Sequence, residues 1–180
     1  MSVLVFAELD NGSIKKSSLE AIYYGSEVAK AKGTSATVLA IGESSNDALA
    51  TAGKYGASKV LWASDARLNS ASIQAYSSVL AEAVNATSAE FIILAKSSLG
   101  DAVSARVSAK LKASIVSNVV DLPDFSSGVT VKRSIYTGKA FATVALTAGK
   151  KVIAIKKNAV TVVEGDGSAS VENFAPALND

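Results

Sequence analysis

The segment best placed for chemistry is Lys96-Ser97-Ser98-Leu99-Gly100-Asp101, where an apolar run gives way to a helical pattern. Backbone N–H groups at a helix start attract anions, and Lys96 would assist. The competing interpretation is structural: Ser98 caps the helix while Asp101 complements its dipole and places negative charge where a phosphate would lie. Gly53-Lys54-Tyr55-Gly56-Ala57 precedes a strand instead of following one. Close helix–sheet packing and a C-cap therefore explain it better than phosphate binding. Gly138-Lys139 and Gly149-Lys150 lie in hairpin turns, without the earlier glycine or the following Ser or Thr of a P-loop. The turn Glu8-Leu9-Asp10-Asn11-Gly12-Ser13 holds a single glycine, so the dinucleotide fingerprint is missing too. Glu8 and Asp65 both fall near C-terminal strand ends, which is weak support for an acid–base pair. Arg133, Tyr136 and Lys139 cluster around one hairpin, either as interface anchors or as an exposed tip. Trp62 follows strand periodicity and is predicted to be core.

Composition narrows the chemistry further. The 180 residues include no cysteine and no histidine. Thiolate nucleophiles, disulfides, Cys/His zinc sites and imidazole-based triads are thereby excluded. Lys, Tyr or carboxylate catalysis stays formally open, but no convergent set of such groups is visible. From Glu164 onward the chain carries four acids and no base, which leaves the preceding segment with 18 basic against 12 acidic residues. A mildly basic body suits an acidic partner or a nucleotide, or is simply a solvated surface. Scattered basic pairs without interleaved aromatics argue against nucleic acid. No apolar run approaches the roughly 20 residues of a membrane span. The chain opens directly on Val3-Leu4-Val5-Phe6-Ala7 without a signal-like region, so a cytoplasmic, unprocessed protein is expected.

The elements that must carry these residues alternate. Apolar runs at Val3–Ala7, Ala36–Ile41, Lys59–Ala63, Phe91–Ala95 and Ile115–Val120 predict strands. Between them, helical periodicity predicts a helix opened by a Ser17/Glu20 capping box and closed at Lys32-Gly33, and a short helix over Ser45–Lys54. A third helix runs from about Ala71 to Thr87 with Ile73 and Tyr76 on its buried face, and a fourth opens at Ser98. Strands apolar on both faces predict a doubly wound, mainly parallel α/β sheet. After residue 128 the period changes to two: Val129–Ile135, Ala140–Leu146, Lys151–Ile155 and Val160–Glu164 are predicted strands with tight connections. Those connections predict an appended antiparallel β-meander. The domain is therefore drawn as residues 1–164, with βα repeats over 1–122 and the meander over 128–164. Gly165-Asp166-Gly167-Ser168-Ala169-Ser170 opens a small, polar stretch that makes 165–180 a linker or tail, as in a chain divided from a further domain.

Several segments together resemble the alpha subunit of electron transfer flavoproteins. Val3 to Glu8 with Asn11-Gly12 resembles the family's first strand and turn. Gly56-Ala57-Ser58-Lys59-Val60 is similar to its entry to the third strand, and Gly100 through Arg106 to its glycine-led helix. Arg133-Ser134-Ile135-Tyr136-Thr137-Gly138-Lys139-Ala140 resembles its hairpin. The pattern departs at Asp101 and Ala105, where the family usually carries a basic residue and a proline. The resemblance implies an adenine nucleotide hydrolase-like three-layer sandwich acting as the N-terminal domain of an electron carrier, not as an enzyme. It also implies pairing with a beta subunit, with electrons passing from flavin dehydrogenases of the acyl-CoA type to a quinone reductase. FAD would be held by a C-terminal domain absent from this chain, with no cofactor expected here, and Arg133, Tyr136, Lys139 and Arg106 become candidate docking residues. The alternative is a free-standing nucleotide-binding module similar to universal stress proteins, whose glycine-rich loop is represented here only by Gly100.

Overall fold

Runs of β-branched and aliphatic residues with no polar alternation can be stable only between two covering layers. In the computed structural model, which describes residues 2–70 and 72–178, that is where they lie. In chain order the elements are β1 (Ser2–Ala7), β2 (Leu9–Asp10), β3 (Ser13–Ile14), α1 (Lys16–Ala31), β4 (Ala36–Ile41), α2 (Asn46–Ala50), β5 (Ala57–Ala63), α3 (Ile73–Ala86), β6 (Ala89–Ala95) and α4 (Ser98–Leu111). There follow β7 (Ser114–Val119), β8 (Thr130–Ile135), β9 (Ala140–Ala145), β10 (Lys151–Ile155) and β11 (Ser170–Asn173). Nine strands form one sheet in the order β11-β5-β4-β1-β6-β10-β7-β8-β9, while β2 and β3 make a separate two-stranded hairpin. The protein is thus α/β, with a mostly parallel sheet flanked by helices.

Alternate residues of each strand feed opposite cores. Val3, Val5, Ile93 and Ile153 meet Ile22, Tyr24 and Val28 of α1 and Leu49 of α2. Leu4, Phe6, Ile92 and Leu94 meet Val79, Leu80 and Val84 of α3 and Val103 and Val107 of α4. Each fully buried aliphatic side chain of this kind stabilises the fold by about 1.5–3 kcal/mol. The helix starts differ from the predicted ones by a residue or so. Lys15 occupies the N-cap of α1 without a side-chain cap. Instead of capping, Glu20 is buried and accepts from the Asn158 N–H at 2.8 Å. Ser97, not Ser98, caps α4 by accepting from the Gly100 N–H. The third helix begins at Ile73 behind the Ser72 cap, Ile73 is 38% exposed, and the predicted start at Ala71 lies outside the described residues.

The second half departs from a simple meander. β7, β8 and β9 are antiparallel neighbours, with Val119 opposite Arg133 and Arg133 opposite Ala142. β10, predicted to continue that pattern, is instead parallel to both β6 and β7, with Ile153 level with Ile93 and Val116. The reason is that the β8–β9 ribbon itself serves as the crossover that a parallel return requires. Val131 of β8 and Leu146, just after β9, are buried in the α1-side core, so the ribbon extends both the sheet and that core beyond β7. Val160–Glu164 forms no strand. Residues 156–169 run as a strap outside α1, held by Asn158 on Glu20 and by the Gly165 N–H on the Lys54 carbonyl at 2.8 Å. The segment read as a linker then becomes structural: β11 pairs in parallel with β5, Val171 opposite Val60. Phe174 and Leu178 pack against the α3–α4 core.

Candidate functional site

In an open parallel sheet, ligands bind beyond the carboxyl ends of the strands, where the connections diverge. Here β1 leads to β4 on one side while β6 lies on the other, and a cavity of about 310 Å³ opens between their ends. It is lined by Ala7, Glu8 and Gly12 from the first turn, Gly42 after β4, Tyr76 of α3 and Leu99 of α4. Glu8 dominates its electrostatics. Its side chain is only 4% exposed and forms a 3.0 Å ion pair with Lys15. The Ser97 hydroxyl donates to its other oxygen, and the Ser18 hydroxyl accepts from its backbone N–H at 2.9 Å. The chain's own carboxylate therefore lies beside the start of α4, where an anion would otherwise be drawn. Tyr76 closes the floor, its hydroxyl donating to the Leu68 carbonyl at 2.9 Å. Burial, reinforced by the charge of Glu8, raises its pKa.

The two carboxylates noted in the sequence are not brought together. Asp65 sits after β5, bound by both the side chain and the backbone of Arg67. Those hydrogen bonds, the side-chain ones first, pull its pKa down to about 2. Lys96 is likewise engaged, pairing with Asp101 at 3.0 Å. Among the described residues no group of three or more Asp, Glu, Cys or His side chains converges as a metal site. No helix among the described residues is long and apolar enough to cross a membrane.

A second cleft, of about 570 Å³, opens beyond the ends of β10 and β7. Arg133 and Tyr136 line it together with Lys96, Asn118, Ser134 and Lys156. Tyr136 is 76% exposed, whereas Nε of Arg133 is buried without a hydrogen-bond partner among the described residues. Lys139 lies on the same hairpin but faces outward, and Arg106 is separate, exposed on α4. Lys156 and Asn118 escaped sequence reading for different reasons: Lys156 reaches the hairpin only through the insertion of β10 beside β7, whereas Asn118 sits in β7 next to the Val119–Arg133 pair. The hint available in sequence was a basic residue directly after a strand at Ile155-Lys156. Trp62, predicted to be core, is partly buried and donates from Nε1 to the Gly42 carbonyl at 2.8 Å.

These features define a doubly wound α/β domain whose central crevice is lined by its own buried carboxylate. The chain belongs to the electron transfer flavoprotein family: residues 3–179 match the electron transfer flavoprotein domain. Curated relatives are alpha subunits, consistent with an N-terminal alpha-subunit domain. Electron transfer flavoprotein subunit alpha of Bacillus subtilis (strain 168) is 29% identical over 180 residues, covering 99% of this chain and 55% of the relative. That of Pseudomonas aeruginosa is 32% identical over 185 residues, covering 97% and 54%. The chain spans about half the length of these relatives. The crevice residues do not fit the pyrophosphate of a flavin dinucleotide, because the lining cation Lys15 and the Ser97 hydroxyl at the start of α4 are already taken up by the buried Glu8 carboxylate.

Proposed function

We propose that this chain acts as the non-flavin, N-terminal domain of an electron transfer flavoprotein alpha subunit and docks a beta subunit. In the intact complex FAD would be held by a further alpha-subunit domain, and electrons would pass from flavin dehydrogenases of the acyl-CoA type to a quinone reductase. The protein would work in the cytoplasm as an electron-carrier subunit and not as a self-sufficient enzyme. The observation that carries this reading is the family match over nearly the whole chain, combined with a central crevice whose lining cation Lys15 is already paired with Glu8.

The docking face is placed on the β8–β9 hairpin. Tyr136 is 76% exposed and Phe141 56% exposed, with the Lys132 ammonium 4.7 Å from the Phe141 ring centroid. Exposed aromatics flanked by cations are typical interface anchors. Lys139 extends this face, Arg133 supports the hairpin from the cleft below, and Arg106 is the candidate contact on α4.

The reading is tested by titrating the chain with FAD and following flavin absorbance. The expected result is a colourless preparation that takes up no flavin after gel filtration. A stoichiometrically yellow protein would overturn it. Uptake of AMP or ATP in place of flavin would point to a nucleotide-binding module.

A further inference from the structure

The cleft beneath the hairpin has a chemistry that docking does not use. Its lining contains the cations Lys96, Arg133 and Lys156 and no acidic side chain. Asp101, outside the lining, neutralises Lys96 at 3.0 Å, which leaves Arg133 and Lys156 uncompensated. Nε of Arg133 is buried with no protein acceptor among the described residues. Polar groups buried in this way normally find a partner, since leaving them unmade carries the full desolvation penalty. Nζ of Lys156 lies 3.8 Å, and Oγ of Ser134 3.7 Å, from where a Cβ on Gly138 would stand. Hydrogen-bond donors thus flank the same turn.

That turn is held in an unusual shape. Tyr136, Thr137 and Gly138 all have positive φ, of 48°, 55° and 94°. Left-handed conformations at two successive non-glycine residues are strained, and such strain concentrates where a site has to be shaped. Asn118, facing the same cleft from β7, also has a positive φ of 59°. A carboxylate would balance only one of the two uncompensated cations. A phosphate group carries about −1.5 to −2 charge and three acceptor oxygens, which matches both of them and the surrounding donors. Arginine's planar fork is suited to this oxyanion.

We propose that this cleft binds the phosphate group of a small phosphorylated molecule, held by Arg133 and Lys156 with Ser134 and Asn118 as neutral donors. The site shares Arg133 and the Tyr136 turn with the proposed docking face but needs no partner chain to form.

The test is an amide chemical-shift titration of the chain with inorganic phosphate, repeated with acetate at matched ionic strength. Saturable shifts are expected at Lys96, Asn118, Lys156 and residues 133–138, with acetate binding at least about tenfold more weakly. Arg133→Gln and Lys156→Gln should each weaken phosphate binding about tenfold or more, the effect of losing one charge-assisted hydrogen bond. Lys156 is exposed, so its variant keeps the test decisive if Arg133→Gln folds poorly. Unsaturable shifts scattered over surface lysines, equal binding of acetate, or unchanged affinity in the Lys156 variant would each overturn the proposal. Lys156→Gln leaves the proposed docking residues untouched, so loss of phosphate binding in that variant is distinguishable from a failure of beta-subunit docking, which is measured separately.

Discussion

Gly53 carries a disproportionate share of the domain's integrity. A Cβ at that position would lie 2.2 Å from the Ser168 carbonyl carbon and 2.3 Å from the Ala169 nitrogen. Backbone atoms cannot rotate away, so Gly53→Ala must push the β11 approach off the α2 end. A loss of about 1–3 kcal/mol in urea unfolding is expected. Gly149→Ala, where nothing lies within 4 Å, should stay within about 0.5 kcal/mol of wild type. Equal effects at the two positions would contradict the close packing. Tyr24 makes a different residue-scale prediction. Its hydroxyl donates to the Asp121 carbonyl at 2.9 Å, and burial, with the charge of Asp121 second, raises its pKa above the ordinary 10.0. The neutral phenol's contribution is therefore complete below pH 10 and is lost as pH rises into the strongly alkaline range. Tyr24→Phe should lose about 1 kcal/mol at pH 7 and unfold less steeply above pH 10. An unchanged alkaline limb in the variant would remove Tyr24 as its cause.

At the scale of elements, the parallel half was legible because its signals are local. Val3–Ala7 and Phe91–Ala95 are unbroken apolar runs, Ala36–Ile41 is interrupted only by the β-branched Thr37, and each became a strand flanked by helices. The fate of Lys151–Ile155 was not local: whether it pairs with β9 or crosses back between β6 and β7 depends on contacts made far along the chain, here Ile153 with Ile93 and Val116. Ser168 to Asn173 misled for a related reason. Its polar composition suits a linker, yet an edge strand needs only backbone pairing and a few apolar contacts, here Ala169, Val171 and Phe174. Truncation after Glu164 tests this directly. Loss of those contacts should lower stability by about 2–4 kcal/mol and expose the β5 edge to self-association. Unchanged stability and a monomeric profile by light scattering would return the segment to linker status. The candidate site was half legible. Arg133 and Tyr136 stood out in one hairpin, but Asn118 joins them through the pairing of β7 with β8, and Lys156 only through the β10 insertion.

On the scale of the whole molecule, two edges of the nine-stranded sheet have opposite fates. The β5 side is sealed by β11 and the strap over α1, with ion pairs Lys54–Glu164 at 3.2 Å and Lys59–Glu172 at 2.9 Å along the seam. The β9 side carries the exposed Phe141 and adjoins Tyr136 at the hairpin turn, and it is here that docking is proposed. The central claim is that this end docks a beta subunit while the crevice at Glu8 holds no flavin. Calorimetric titration of the chain with the cognate beta subunit tests it most directly, with Tyr136→Ala measured in parallel. The account predicts saturable one-to-one binding that Tyr136→Ala weakens about tenfold or more, as expected for an aromatic anchor. Absence of binding by the wild-type chain, or full affinity in the Tyr136 variant, would contradict it.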